Sequence, residues 1–170
     1  MKKAFITVFG VGVFFLMSQT STSFAQSLKI EQLEQMKISQ KDWVGKWHCL
    51  AHNPEEDASF EFIDDIRADG MVYSSGSILI ENTKESLHAT VEMESQWRFR
   101  DATHVQYDAI KTLKLETNDP DFKRNLEELY AERTSSVDEI LKLNTTERVV
   151  REIDEDYPNM PIVQCTKITE

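Results

Sequence analysis

The sequence predicts a mainly β protein, an eight-stranded antiparallel barrel of up-and-down order. Apolar and polar residues alternate with a period of two over most of the chain from Trp43 onward, which is typical of strands with one buried and one solvated face. The connections between these segments are short, which favours pairing between sequence neighbours. Cys49 lies in the first segment and Cys165 in the last, so a bond between them would hold the two ends of the sheet together.

The N-terminal segment has the three regions of a secretory signal. Two lysines precede an apolar run over 4–17, and a small, polar stretch follows. Ser23 and Ala25 place small residues where a signal peptidase reads them, so we expect cleavage before Gln26. The apolar run is shorter than the roughly 20 residues that a transmembrane helix needs.

Residues 1–25 are therefore expected to be a signal peptide and residues 26–170 one β-barrel domain. We expect a periplasmic location in a bacterium, or secretion, with no integral membrane segment in the mature form. About 145 residues suffice for one hydrophobic core. Composition shows no linker or repeat that would divide them.

The predicted strands follow from the alternation and from turn signals between them. Leu87 to Phe99 is the clearest, with six apolar residues on one side and polar residues on the other. Asp69 and Gly70 predict a hairpin turn between two further strands. The eight strands are predicted over Trp43–His52, Ser59–Arg67, Met71–Ile80, Leu87–Phe99, His104–Glu116, Val137–Asn144, Thr146–Asp154 and Ile162–Thr169.

Two helices accompany these strands. Leu28 to Met36 predicts a short amphipathic helix at the N-terminus. The second is predicted over 119–133, because Asp119 is placed as an N-cap and Pro120 takes the favoured first position. This inserted helix would either close one end of the barrel or form a packed surface crossover.

The cysteines favour a barrel over the alternative, a Greek key sandwich. In an up-and-down barrel the first strand pairs with the last, so Cys49 and Cys165 become neighbours. Closing a loop of about 117 residues stabilises the fold by roughly 4–5 kcal/mol in the chain-entropy model. A redox pair would have closer spacing. We therefore predict a structural disulfide.

Charge excludes one class of partner and suggests another. The chain has 19 basic and 30 acidic side chains, and removal of the signal leaves 17 against 30, a net charge near −13. Nucleic acid is excluded as a partner, because phosphate binding needs a basic surface. An acidic surface serves solubility, or it attracts a basic protein.

Gly45 and Trp47, at the start of the first strand, resemble the Gly-x-Trp motif of lipocalins and related calycins. The resemblance implies a lipocalin-like barrel with the tryptophan at its closed end and a small, mostly apolar ligand inside. It also implies a basic residue over the tryptophan, for which Lys167 is the candidate. The sequence departs from the family in placing a helix between strands.

The candidate ligand-binding residues are those that alternation places inside the barrel. An eight-stranded barrel is either filled by its side chains or holds one small ligand, and both alternatives stay open at this point. The candidates are Trp47, Phe60, Phe62, Tyr73, Met93, Trp97, Phe99 and Tyr107, and Leu113 and Leu141 are also predicted to point inward.

The sequence has no recognisable motif for a catalytic, cofactor-binding or metal site. His48 and His52 lie about 13 Å apart along a strand, too far to share an ion. Asp64, Asp65 and Asp69 read as an acidic turn without the pattern of a calcium loop. The sequence has no nucleophile motif either. We expect no catalytic residues, no metal and no cofactor.

These observations give one leading function and two alternatives. The first is an exported, non-enzymatic protein that holds a small apolar or amphipathic ligand. The second is a periplasmic inhibitor or immunity-type protein that acts on a basic enzyme such as a lysozyme. The third is a structural protein of the envelope.

Overall fold

The computed structural model describes residues 39–81, 85–154 and 159–169, in which eight antiparallel strands close into a barrel. Each strand pairs with the next in sequence, and the last pairs with the first. The predicted up-and-down order is therefore confirmed. The strands are β1 Gly45–Asn53, β2 Ala58–Ile66, β3 Met71–Ile80, β4 Leu87–Phe99, β5 His104–Thr117, β6 Ser135–Leu143, β7 Glu147–Glu152 and β8 Ile162–Lys167.

Two helices accompany the barrel in the described residues. Helix α1 is a single turn, Gln40–Trp43, and helix α2 is Pro120–Glu132. The side chain of Asp119 accepts a hydrogen bond from the backbone nitrogen of Phe122, so the predicted cap and helix are confirmed. Neither helix is long and apolar enough to span a membrane.

Trp43 lies in α1 and not in the first strand, which corrects the predicted start of β1. The strand begins at Gly45, where the backbone has a φ of +137° that a side chain would disfavour. The helix predicted over Leu28–Met36 and the predicted signal segment lie outside the described residues.

Closure of the barrel places the cysteines directly opposite each other. Cys49 of β1 pairs in register with Cys165 of β8, and a disulfide joins them. Both side chains are buried, which places the bond inside the barrel. The predicted disulfide is confirmed.

Two bulges move predicted inward residues out of the core. A register shift in β5 leaves Leu113 as an extra residue, 46% exposed, and Thr112 takes the position opposite Met93. In β6 a second shift leaves Leu141 as the extra residue, while Ile140 is buried in the core. A bulge reverses the alternation of faces, so the inward predictions for Leu113 and Leu141 were wrong.

The apolar core consists of two clusters at different levels of the barrel. We call the first the tryptophan end and the second the helix end, because Phe122 and Leu126 of α2 pack into it. Helix α2 therefore packs against the barrel core, in agreement with the first of its two predicted roles, the closing of one end of the barrel. The buried residues of the tryptophan end are Trp43, Trp47, Cys49, Ile66, Val72, Trp97, Val105, Ile140, Val150 and Cys165. Those of the helix end are Ile78, Ala89, Phe122 and Leu126.

Candidate binding site inside the barrel

The inner wall between the two ends keeps accessible surface. Strand register places Phe62, Ser74 and Met93 on the inner face, since Ser74 lies opposite both Asp64 and Met93. Phe60, Phe62, Ser74 and Met93 are all partly accessible even though they point into a closed barrel. Side chains in such positions keep accessible surface only where the space beside them is large enough for solvent. The middle of the inner wall therefore keeps surface that a small molecule could contact.

Gly76 contributes to this space by having no side chain. It lies opposite Phe62, and a Cβ at this position would be 2.4 Å from the Phe62 Cβ and 2.3 Å from the Glu61 carbonyl oxygen. Any larger residue would displace the Phe62 ring or the strand that carries it. The Phe62 ring thus depends on glycine for its position on the inner wall.

The tryptophan end is sealed by aromatic packing. Helix α1 inserts Trp43 beside Trp97 and Phe99, with ring centroids 6.5 Å and 6.0 Å away. The Trp47 indole nitrogen donates to the Trp43 carbonyl oxygen at 2.9 Å, and the Trp97 indole nitrogen donates to the Arg67 carbonyl oxygen at 2.9 Å. These rings form a fixed plug.

Lys167 covers Trp47, as the resemblance to lipocalins led us to expect. Its Nζ lies 5.0 Å from the centroid of the Trp47 ring. The lysine reaches this position by passing over Gly45, where a Cβ would come within 2.5 Å of the Lys167 Cε. A glycine at position 45 therefore leaves room for the lysine that covers the tryptophan two residues later.

Arg148 carries a buried charge inside the barrel, with only 1% of its surface exposed. Its Nη2 donates to the Asp64 Oδ2 at 2.5 Å and lies 3.0 Å from the Cys49 sulfur and 3.1 Å from the Cys165 sulfur. The guanidinium carbon is 4.9 Å from the Trp43 ring centroid and 5.4 Å from that of Trp47. One side chain thus joins the ion pair, the disulfide and the aromatic plug.

The ion pair keeps Arg148 charged. Burial lowers the pKa of the Arg148 guanidinium, but Asp64, Tyr107 and Asp138 raise that pKa by more, so the net direction is upward. The Asp64 carboxylate is held further by Ser74, whose hydroxyl donates to it at 2.6 Å. Removing one partner of such a buried pair leaves an uncompensated charge, which typically costs about 3–5 kcal/mol.

A second carboxylate, Asp138 of β6, also faces the interior. It lies opposite the buried Val105 of β5 and opposite Glu152 of β7, and it interacts with the Tyr107 hydroxyl. Burial raises the pKa of Asp138 to about 6, against the lowering effect of Arg148. Glu152 forms an ion pair with Arg133 at the end of α2.

The predicted ligand contacts fall into separate groups. Trp47, Trp97 and Phe99 belong to the sealed tryptophan end, and Tyr107 packs against that end beside Asp138 and Arg148. Phe62 packs against the tryptophan end and Phe60 against the helix end, and both of them, like Met93, keep partly accessible surface on the inner wall.

Tyr73 has the opposite orientation from the one predicted. It pairs with Asp65 and stacks with the Arg67 guanidinium at 4.3 Å on the outer face. Its neighbours Val72 and Ser74 take the inward positions, so the inward prediction for Tyr73 was wrong.

The sequence did not lead us to expect three charged residues inside the barrel, namely Arg148, Asp64 and Asp138. Asp64 is in phase with Phe60, Phe62 and Ile66 along β2, so alternation alone would have placed it inside. Its charge led instead to the interpretation as part of an acidic turn, which is wrong. Arg148 is likewise in phase with Val150, but no sequence signal names Asp64 as its partner.

The histidines lie outside this site. His48 is 2.7 Å from a carboxylate oxygen of Glu61, and His104 is 2.8 Å from one of Asp101. Asp101 and His104 line an open outer pocket of about 400 Å³. Across the described parts of the chain, no three His, Cys, Asp or Glu side chains come together as metal ligands would.

A scan of protein-family models and a search of curated protein sequences give no match to this chain. Its function is therefore argued from the geometry of the inner wall and the charges beside it.

The raised pKa of Asp138 predicts a pH-dependent effect of Asp138→Asn on stability. An unfolded aspartate ionises near 3.9, so between about pH 4 and about pH 6 the folded protein alone holds the proton and loses stability as the pH rises. A shift of this size corresponds to roughly 3 kcal/mol. We expect Asp138→Asn to gain stability relative to wild type by that order across the interval, as measured by urea unfolding.

Asp108→Asn is the matched control, because Asp108 pairs with Arg98 in an exposed position. Its free energy of unfolding relative to wild type should change little over the same interval. A constant difference between Asp138→Asn and wild type from about pH 4 to about pH 7 would contradict the raised pKa.

Proposed function

We propose that this chain is an exported, non-enzymatic binding protein that holds a small amphipathic molecule inside its barrel. The observation that carries the proposal is the accessible inner wall formed by Phe60, Phe62 and Met93 between two closed ends. A concave, mostly apolar wall with a few polar groups is the usual form of a small-molecule site. The resemblance of Gly45 and Trp47 to lipocalins agrees with this proposal.

The distribution of polar groups supports an amphipathic ligand over a purely apolar one. Phe62 and Met93 offer apolar contact in the middle of the wall. Ser74 lies opposite Met93, and Tyr107 and Asp138 lie on the inner face nearer the tryptophan end. An apolar tail would bury surface against the first group, and a polar head would form hydrogen bonds with the second.

Met93→Trp tests the site by filling it. The larger ring would occupy the space beside Phe62, so we expect the affinity for the neutral dye N-phenyl-1-naphthylamine to fall by about tenfold or more. Dye fluorescence titrated against protein gives the dissociation constant. Thermal unfolding of the same sample checks that the variant is folded.

Glu92→Trp is the matched control, because it adds the same ring to an exposed position of β4 next to Met93 in sequence. It should bind the dye like the wild type. The proposal fails if the wild type shows no saturable dye binding, or if Met93→Trp and Glu92→Trp bind the dye equally well.

A patch of exposed apolar side chains supports a second candidate, binding of a basic protein. Leu50, Ile63 and Ile162 on β1, β2 and β8 are 51%, 42% and 48% exposed. Glu61 lies directly opposite Leu50 and is itself exposed. We propose that a basic enzyme, such as a lysozyme, would cover this face, with apolar contacts in the patch and cations toward Glu61 and the acidic surface around it.

Leu50→Asp tests this candidate by placing a charge in the patch. We expect it to weaken binding to a basic lysozyme by about tenfold or more in calorimetry, while wild-type binding weakens as salt is added. Leu113→Asp is the control, because Leu113 is similarly exposed but lies on β5. Equal binding by Leu50→Asp and wild type, or no wild-type binding to a panel of basic hydrolases, would exclude the candidate.

A further inference from the structure

We propose that the inner site selects ligands with a cationic head group, such as a primary amine, and that Asp138 is the residue that selects them. This inference rests on the proposed ligand-binding function and adds the chemical class of the ligand. The supporting observations are the numbers of acidic and basic side chains inside the barrel and the ion pairs that these side chains already form.

Carboxylates outnumber guanidinium groups among the described residues of the charged cluster. The carboxylates are Asp64, Asp138 and Glu152, and the cations are Arg133 and Arg148. Arg148 is paired with Asp64, and Arg133 with Glu152. Asp138 is left as the carboxylate in excess.

Arg148 is poorly placed to receive an anionic head group, and Arg133 is already paired with Glu152. The Arg148 Nη1 has no hydrogen-bond partner among the described residues, but it is fully buried and the guanidinium lies against Trp43 and Trp47. A ligand carboxylate could reach it only by displacing the aromatic plug. The same carboxylate would also meet Asp138 and Asp64, and like charges at short range repel.

A cationic head group would instead find hydrogen-bond acceptors and a compensating negative charge at this site. The Asp138 carboxylate faces the interior, and the Tyr107 oxygen beside it offers a second acceptor. An ammonium group has three donors, and its hydrogen bonds to a carboxylate are roughly twice as strong as neutral ones. It would also neutralise the excess charge, whose burial is the largest cause of the raised pKa of Asp138.

Three ligands that share a twelve-carbon tail and differ in their head groups distinguish head-group selection from tail binding. Dodecylamine, dodecanol and dodecanoate are titrated against the dye-loaded wild-type protein, each below its micelle concentration. Near neutral pH the amine is charged, as a lysine is. We expect one-to-one displacement with the amine bound about tenfold or more tightly than the alcohol, and dodecanoate bound more weakly than either.

Asp138→Asn should reduce the ratio of amine affinity to dodecanol affinity to about one, because the carboxylate that distinguishes a charged head from a neutral one is gone while the tail contacts are intact. Asp108→Asn removes an exposed carboxylate of the same type and should keep the preference, which controls for nonspecific attraction to the acidic surface. In the wild type the preference should also decrease below about pH 6, because Asp138 then gains a proton. The titratable and charged groups around Asp138 are Asp64, Tyr107, Arg133, Arg148 and Glu152.

Each outcome separates the inference from the proposed function. If none of the three ligands displaces the dye, ligand binding in the barrel itself is refuted. If dodecanol binds and the amine binds no more tightly, or if the amine preference persists in Asp138→Asn, selection by Asp138 is refuted while the binding function stands.

Discussion

The pairing of β1 with β8 is the constraint on which the rest of the structure depends. It turns an open sheet with two exposed edges into a barrel, and the Cys49–Cys165 disulfide holds it from inside. In the chain-entropy model a loop of this length contributes roughly 4–5 kcal/mol. Arg148 lies against both sulfurs and donates to Asp64 of β2, so the same closure also positions the buried ion pair. If β1 and β8 separated, Trp47 would lose Lys167, and Arg148 would lose its cover.

Closure also separates the interior into regions with different roles. The tryptophan end is held by hydrogen bonds from the Trp47 and Trp97 indoles to the backbone and by the edge-to-face contact between Trp97 and Phe99. The helix end is filled by Phe122 and Leu126 of α2. Between them the wall keeps accessible surface and is bordered by Asp138 and Tyr107. Apolar side chains on one part of this wall and the carboxylate of Asp138 on another support the proposal of an amphipathic ligand with a cationic head.

Alternation and turn chemistry sufficed to predict the strand order, the disulfide and helix α2, because each depends on local sequence or on a simple closure rule. The orientation of Leu113 and Leu141 could not be predicted, since a bulge shifts the phase of a strand without a sequence marker. Tyr73 was placed inside because it is aromatic, although its neighbours Val72 and Ser74 hold the inward phase. The ion pair of Arg148 and Asp64 was missed because it joins residues 84 positions apart, and only the closed barrel brings them together.

The central claim is that the accessible inner wall holds a small molecule. Native mass spectrometry of the protein, purified without denaturation from the cells that express it and compared with the denatured chain, is the decisive test. We expect an extra mass of a few hundred daltons, roughly that of one small molecule held inside the barrel, which is lost when the barrel unfolds. A bare chain, lighter than its sequence by the two hydrogens of the disulfide and unchanged when incubated with amphipathic amines, would contradict it.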